Sequence, residues 1–383
     1  MRKLPFDLPT VPLPEATDVV VLGAGLAGAA TARYLAEGGV GVVVIDPDPG
    51  WVDPLGHVEL GAVEQPHRTV ASLGSQADPL FGFAREGAQL LEADGLLDRC
   101  GGLWVAMEHG EAEEIERSVE ALAVLGEPAE AWSAAKVEGH LDGGHMGPAL
   151  HLPRDGRIDP VAVRRLWRDV APDVVWVKGW GRPVHDEDHD GVVVAVGGAR
   201  IRAEMVVIAA GHRSAELDAT LEGWLTPVRD QWLRTAPVDR PLPLGRAGHG
   251  WTAWQQDDDG CLWVSGARWA SPHLEVGETD LTAEGEVVGR IRGRLEAFLR
   301  DRLQVGAPVE ARGARAFAQT PDGLPVIGPL PGDRRTIVAA GFGPSSVAWS
   351  VAAARSIADG ILDGGGAVPR CVESRRLVRW RRA

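Results

Sequence analysis

Six residues near the amino terminus, Gly23-Ala24-Gly25-Leu26-Ala27-Gly28, have the types and spacing of a turn that holds a pyrophosphate. Gly23 permits the bend, Gly25 lets backbone approach phosphate oxygens, and Gly28 lets the following helix lie close on a sheet. The helix N-terminus then faces the negative charge. Asp46 follows where an acidic side chain accepts ribose hydroxyls and repels a 2′-phosphate. A second glycine-rich turn, Gly341-Phe342-Gly343-Pro344-Ser345-Ser346, lies near the other end of the chain. Ser345 and Ser346 read as helix caps, as ligand contacts, or as both.

Both turns need a strand before them and a helix after them. Asp18-Val19-Val20-Val21-Leu22 and Val42-Val43-Val44-Ile45 read as buried strands flanking an alanine-rich helix, a complete β-α-β unit of about 30 residues. Thr336 to Ala340 reads as the strand feeding the second turn, with another alanine-rich helix after it. Between them, Phe81 to Leu97 and Glu111 to Leu125 read as amphipathic helices, and Pro160 to Val170 as a helix capped by Asp159. Val192 to Val196 and Val206 to Ala209 read as strands, and Trp251 to Ser265 as a hairpin with an acidic turn.

Composition narrows the function classes. The 383 residues carry 39 basic and 54 acidic side chains, a net charge of −15 that opposes general nucleic-acid binding. No apolar run approaches the ~20 residues of a membrane helix. Three scattered cysteines, Cys100, Cys261 and Cys371, give neither a disulfide framework nor a cysteine-based metal site. The first residues show no secretion signal, so a cytoplasmic location is expected. The basic stretch Arg370 to Arg382 reads as a solvated tail or terminal helix, and His185 to Asp190 as a hairpin turn rather than a metal cluster. No metal is expected.

With both turns placed, the chain resembles the FAD-dependent family of D-amino-acid oxidase, glycine oxidase and sarcosine oxidase. The resemblance rests on Gly23 to Gly28, on Asp155-Gly156-Arg157-Ile158-Asp159-Pro160, on Ala209-Ala210-Gly211, and on Thr320 to Gly328 followed by Ala340-Gly341-Phe342-Gly343. It implies an α/β fold with a Rossmann-like FAD-binding domain of the glutathione-reductase type, built from residues 14–75, 153–215 and 318–369. A mixed-sheet α+β substrate domain takes residues 76–152 and 216–317, leaving 370–383 as the basic tail. Carried over by position, Gly23 to Gly28, Asp46, Gly211 and Gly341 to Ser346 hold FAD. Val184 sets its backbone against the adenine, and Gly341 to Ser346 lies at the pyrimidine end of the flavin. The implied chemistry is removal of hydride from the carbon next to an amine nitrogen of an amino acid or secondary amine, with oxygen or another acceptor taking the electrons.

The sequence departs from the family pattern where the family uses lysine. Val264 stands at the position of a lysine that assists oxygen reduction, and Ala348 at that of a lysine that holds a carboxylate. Arg315 or Ala316 replaces the cysteine that attaches FAD, so non-covalent FAD is expected. The single tyrosine, Tyr34, lies on the first helix. The remaining candidates are Arg268, which either pairs with a carboxylate and supplies the missing charge or forms a strand-edge salt bridge, and Arg315, for a carboxylate. Glu59 and His67 fall in the segment that lines the flavin face in the family, or are polar loop residues. Of the 14 tryptophans, Trp224, Trp232, Trp251, Trp254, Trp263 and Trp269 gather in the implied substrate domain, as core or as pocket wall. Two functions compete: a flavin monooxygenase, whose Gly-Asp-Ala block is replaced by Gly332-Asp333-Arg334, and a flavin-binding subunit of an amine dehydrogenase without turnover of its own.

Overall fold

The computed structural model describes residues 12–48, 55–59, 66–142, 145–184, 191–344, 347–376 and 378. Ser345, Ser346 and the segment His185 to Asp190 lie outside them. Strands Ala16–Leu22 and Val42–Asp46 form because their β-branched runs are buried on both faces, as a parallel sheet covered by helices requires. Val19, Val21, Val42 and Val44 face the layer of helices Leu26–Glu37 and Val347–Leu362, while Val20, Leu22, Val43 and Ile45 face the opposite core. The sheet runs Val326–Leu330, Asp333–Ala340, Ala199–Ile208, Ala16–Leu22, Val42–Asp46, Val175–Lys178, with Val192–Val196 and Gly181–Val184 added antiparallel. Its pairings through Ala16–Leu22 are parallel, so both glycine-rich turns leave the same, carboxyl-terminal edge.

A second eight-stranded mixed sheet carries the long strands Thr226–Pro237 and Val309–Gln319 at one side, then Cys261–Gly266, Thr252–Gln256, Leu244–Ala247, Gly102–Val105, Ala149–Leu152 and Glu130–Trp132. Register divides its two faces. Leu233, Val264, Leu262 and Leu103 turn to helix Glu286–Asp301, where Ile291, Leu295 and Leu299 complete a core. Asp230, Ser265, Arg246, Trp104 and Arg315 stand on the opposite face. That face meets the first domain: Gln255 accepts the Gly56 N–H at 3.0 Å and donates to the Ile158 carbonyl at 3.3 Å.

Two implied boundaries change. Helix Ala77–Ala93, assigned to the substrate domain by the cut at residue 76, packs on Val347–Leu362 in the core of the first domain. Gly87 makes the approach possible, because a Cβ there would overlap the Ala348 carbonyl. The segment after residue 369 is not a solvated tail throughout. Val372 and Ser374 are buried, the Ile327 N–H donates to the Val372 carbonyl, and Arg376 clamps Asp322 through two bonds of 2.8 and 3.0 Å.

Candidate functional site

The first turn has the geometry a pyrophosphate needs. Gly23 has φ +112°, and a side chain there would strike the Ala209-Ala210 backbone of the neighbouring turn. A Cβ on Gly28 would overlap the Gly23 carbonyl. Gly25 differs: it precedes helix Leu26–Glu37 in an extended conformation, and nothing lies within 4 Å of the place a Cβ would take. That open cradle before a helix N-terminus fits a phosphate group. Gly211, at φ +56°, opens onto free space beside it.

Asp46 does more than wait for a ribose. One carboxylate oxygen accepts the Ala24 N–H at 2.7 Å and the other the Asp48 N–H at 2.8 Å, so Asp46 also shapes the turn. Burial raises its pKa, opposed by these backbone donors and by Arg164, whose guanidinium burial lowers to about 10. Each carboxylate oxygen keeps a lone pair for a hydroxyl. Asp46→Ala is expected to weaken FAD retention by about 1–3 kcal/mol while leaving secondary structure intact. Equal FAD titration curves for the variant and the parent protein would refute this.

Val184 ends strand Gly181–Val184, paired with Val193, whereas Gly181 is the residue of that strand packed against Leu22 and Ile45. At the second turn, Gly341 has φ +73° and a Cβ there would lie 2.7 Å from Thr320 Cγ2, while Gly343 at φ +70° is open. Phe342, Gly343 and Pro344 line a cavity of 960 Å³. Trp104, Arg246, His249 and Trp251 line it from the second sheet, and Trp349, Cys371 and Arg376 from the first domain.

Glu59 reaches this region. It is buried and accepts from Arg246 Nε, with His57 Nδ1 3.4 Å from the same oxygen. Burial would raise the Glu59 pKa, but Arg246 and then His57 outweigh it and hold the carboxyl at about 2. His57 is lowered, chiefly by burial. Arg246 Nη1 and Nη2 hydrogen-bond to none of the described residues, and the guanidinium lies 6.0 Å from the Trp104 ring centroid.

A Glu59 pKa below its ordinary 4.5 stabilises the fold fully above that pH, and the contribution is lost as pH falls towards 2. It amounts to roughly 3 kcal/mol. His57, depressed as well, removes stability in the same direction but from a higher pH. Melting temperature is thus expected to fall more steeply below pH 4.5 in the wild type than in Glu59→Gln. Parallel profiles would rule out the ion pair.

Arg268 and Arg315 meet, but on a carboxylate of the protein. Asp230 accepts from Arg268 Nη1 at 3.0 Å and from Arg315 Nε and Nη2 at 3.2 and 3.1 Å, with Ser265 Oγ 3.4 Å from Arg315. The Arg268 guanidinium lies 5.1 Å from the Trp251 ring and 5.0 Å from the Phe317 ring. Neither arginine is among the residues lining the 960 Å³ cavity, and Arg268 borders it only through Trp251. His67 turns away to Ser118, at 3.1 Å, and does not line the cavity. Val264 is fully buried against helix Glu286–Asp301, so Ser265 is the neighbour on the site face. Ala348 is buried, and its backbone carbonyl lies where a Cβ on Gly87 would fall.

Sequence reasoning missed Arg246, Trp104 and His249. A charged residue inside the short strand Leu244-Gly245-Arg246-Ala247 was the available signal for the first. For His249, at φ +51° between Gly248 and Gly250, the flanking glycines were the available signal, and Glu111 holds its N–H at 3.0 Å. Of the tryptophans, Trp254 and Trp232 are buried, Trp251 is cavity wall and Trp269 is exposed. No helix among the described residues is long and apolar enough to cross a membrane, and no His, Cys, Asp or Glu group among them could hold a metal ion.

The structure resembles glycine oxidase from Geobacillus kaustophilus, with TM-score 0.74 and 22% identity over 91% of this chain and 95% of that one. L-proline dehydrogenase from P. horikoshii gives TM-score 0.73 and 18% identity over 96% and 99%. In sequence, the chain is 27% identical over 371 residues to a tRNA 5-methylaminomethyl-2-thiouridine biosynthesis bifunctional protein of Polaromonas naphthalenivorans, covering 88% of this chain and 56% of that protein. A Marinobacter nauticus protein of the same name matches at 27% over 94% and 57%. The chain spans about half the length of these curated relatives. The family model for FAD dependent oxidoreductases, DAO, matches residues 18–360, and with the two turns fitted to its cofactor the chain belongs to that family.

Proposed function

We propose that this FAD-dependent oxidoreductase removes hydride from the carbon next to the nitrogen of a small amine or amino acid, giving an imine that water hydrolyses. The observation that carries the reading is the cavity between the Gly341-Phe342-Gly343 turn and the tryptophan- and arginine-bearing face of the second sheet. Bound FAD supplies the acceptor for the electron pair. The chain binds and orients the substrate. Trp104, Trp251 and Phe342 exclude water and fix the direction of the reacting C–H bond, and no nucleophile is required. The name of the curated relatives itself contains an amine-bearing carbon, the methylaminomethyl group. We retain that C–N chemistry and not a nucleic-acid substrate, since a net charge of −15 opposes a polyanion. Gly332 lies in the turn before strand Asp333–Ala340 and Asp333 opens that strand opposite Leu330.

Anaerobic addition of amines and amino acids to the FAD-loaded protein tests the proposal: loss of visible flavin absorbance with at least one is expected. Reduction by a nicotinamide nucleotide alone, with every amine inert, would overturn it.

FAD is expected to leave completely on acid precipitation. The structure adds a reason to check: Cys371 borders the cavity beside Phe342, although burial raises its pKa and keeps the thiol a poor nucleophile. A pellet that stays yellow after washing would point to Cys371.

A further inference from the structure

We infer that the substrate is an amino acid with a bulky apolar side chain, its carboxylate held by Arg246 and its side chain set among Trp104, Trp251 and Phe342. The inference rests on the proposed amine chemistry and names its substrate class. Arg246 is 3% exposed yet lines the cavity. Its Nε is committed to Glu59, which fixes the guanidinium plane, while both Nη groups lack hydrogen-bond partners among the described residues. Guanidinium donors in an interior need acceptors, and the two-donor edge that remains matches a carboxylate bidentately. Arg315 and Arg268 already bind the protein's own Asp230. Around Arg246 the walls are aromatic: Trp104 on the adjoining strand, Trp251 at the start of the next, and Phe342 across the cavity. Such walls gain from burying a large apolar group and gain little from glycine. The cavity also bears Arg68, His249 and Arg376, with Asp322 as its acidic member. Arg376 and Asp322 neutralise each other, and Arg68 is paired with Glu114.

The test uses the FAD-loaded protein and two probes, phenylacetate and its neutral isostere phenylacetamide, in calorimetric titrations. Phenylacetate is expected to bind about tenfold or more tighter, and Arg246→Met to abolish the preference. Should that variant not fold, Arg246→Lys keeps a charge beside Glu59 without the planar fork, and the preference is expected to fall severalfold. Equal binding of both probes to the wild type, or a preference that survives both substitutions, overturns the anchor.

Phenylalanine, phenethylamine and glycine are then compared as anaerobic reductants, with phenylalanine expected to be fastest. Glycine equal to phenylalanine overturns the apolar walls. Phenethylamine equal to phenylalanine, with no dependence on Arg246, overturns the anchor and leaves the amine reaction standing. If no amine reduces the flavin while the phenylacetate preference still depends on Arg246, the reaction falls and the anchor stands.

Discussion

Asp230→Asn is expected to destabilise the protein by about 3–5 kcal/mol, more than any substitution of either arginine it holds. Asp230 is 1% exposed, with Arg315 opposite it on the paired strand and Arg268 reaching in from beyond Gly266. Removing the carboxylate leaves two guanidinium groups close together without the anion they share. Removing one arginine has a different result, because the carboxylate keeps the other. Arg268→Met retains stem packing against Trp251 and Phe317 and is expected to cost only about 1–2 kcal/mol. Urea unfolding of the FAD-loaded proteins gives both numbers, and the double variant gives their coupling. Equal costs for the two single changes would mean that Asp230 is not the shared counter-ion. The same arrangement removes Arg268 as a free cation facing the cavity, the part the sequence offered it in place of a lysine.

The sequence showed the first domain because its signals are local. A strand, a glycine turn and a helix follow one another within Ala16–Asp46, and both cores of that sheet can be read from alternate valines in the two strands. The face over the cavity is assembled from strands far apart in the chain. Trp104 and Arg246 become neighbours through the parallel pairing of Gly102–Val105 with Leu244–Ala247, which no local pattern encodes. A one-residue step matters there, because it moves a side chain to the other face. That is why Val264, aligned with a family lysine, turned out to be core while Ser265 faces the site. The other lysine position, Ala348, is buried beside Gly87, a residue far from it in the sequence that lets the two helices approach backbone to backbone. Arg376 falls in a basic run that reads as a solvated tail or terminal helix, because such runs usually face water, but Asp322 and the Leu324 carbonyl offer it three bonds.

Two glycines of the first turn are expected to respond in opposite ways, and the contrast separates folding from cofactor binding. Gly28→Ala places a Cβ against the Gly23 carbonyl, and neither backbone segment can withdraw without moving the helix off the sheet. Overpacking against backbone at the centre of a parallel sheet is expected to cost ~3 kcal/mol or more, lowering the melting temperature of the FAD-free protein as well. Gly25→Leu has no such conflict. Its φ of −66° and ψ of −176° suit any residue, and nothing lies within 4 Å of the new Cβ. The side chain fills only the space before the helix N-terminus, where the pyrophosphate belongs. FAD affinity is therefore expected to fall roughly a hundredfold, equivalent to ~2.7 kcal/mol, with the FAD-free melting temperature unchanged. Circular dichroism on FAD-free protein and fluorescence titration with FAD measure the two effects separately. A Gly25→Leu protein that still binds FAD like the parent would move the pyrophosphate away from this turn, whatever happens at Gly28. If the variant instead melts early, the space before Gly25 is structural and the open cradle is not a phosphate site.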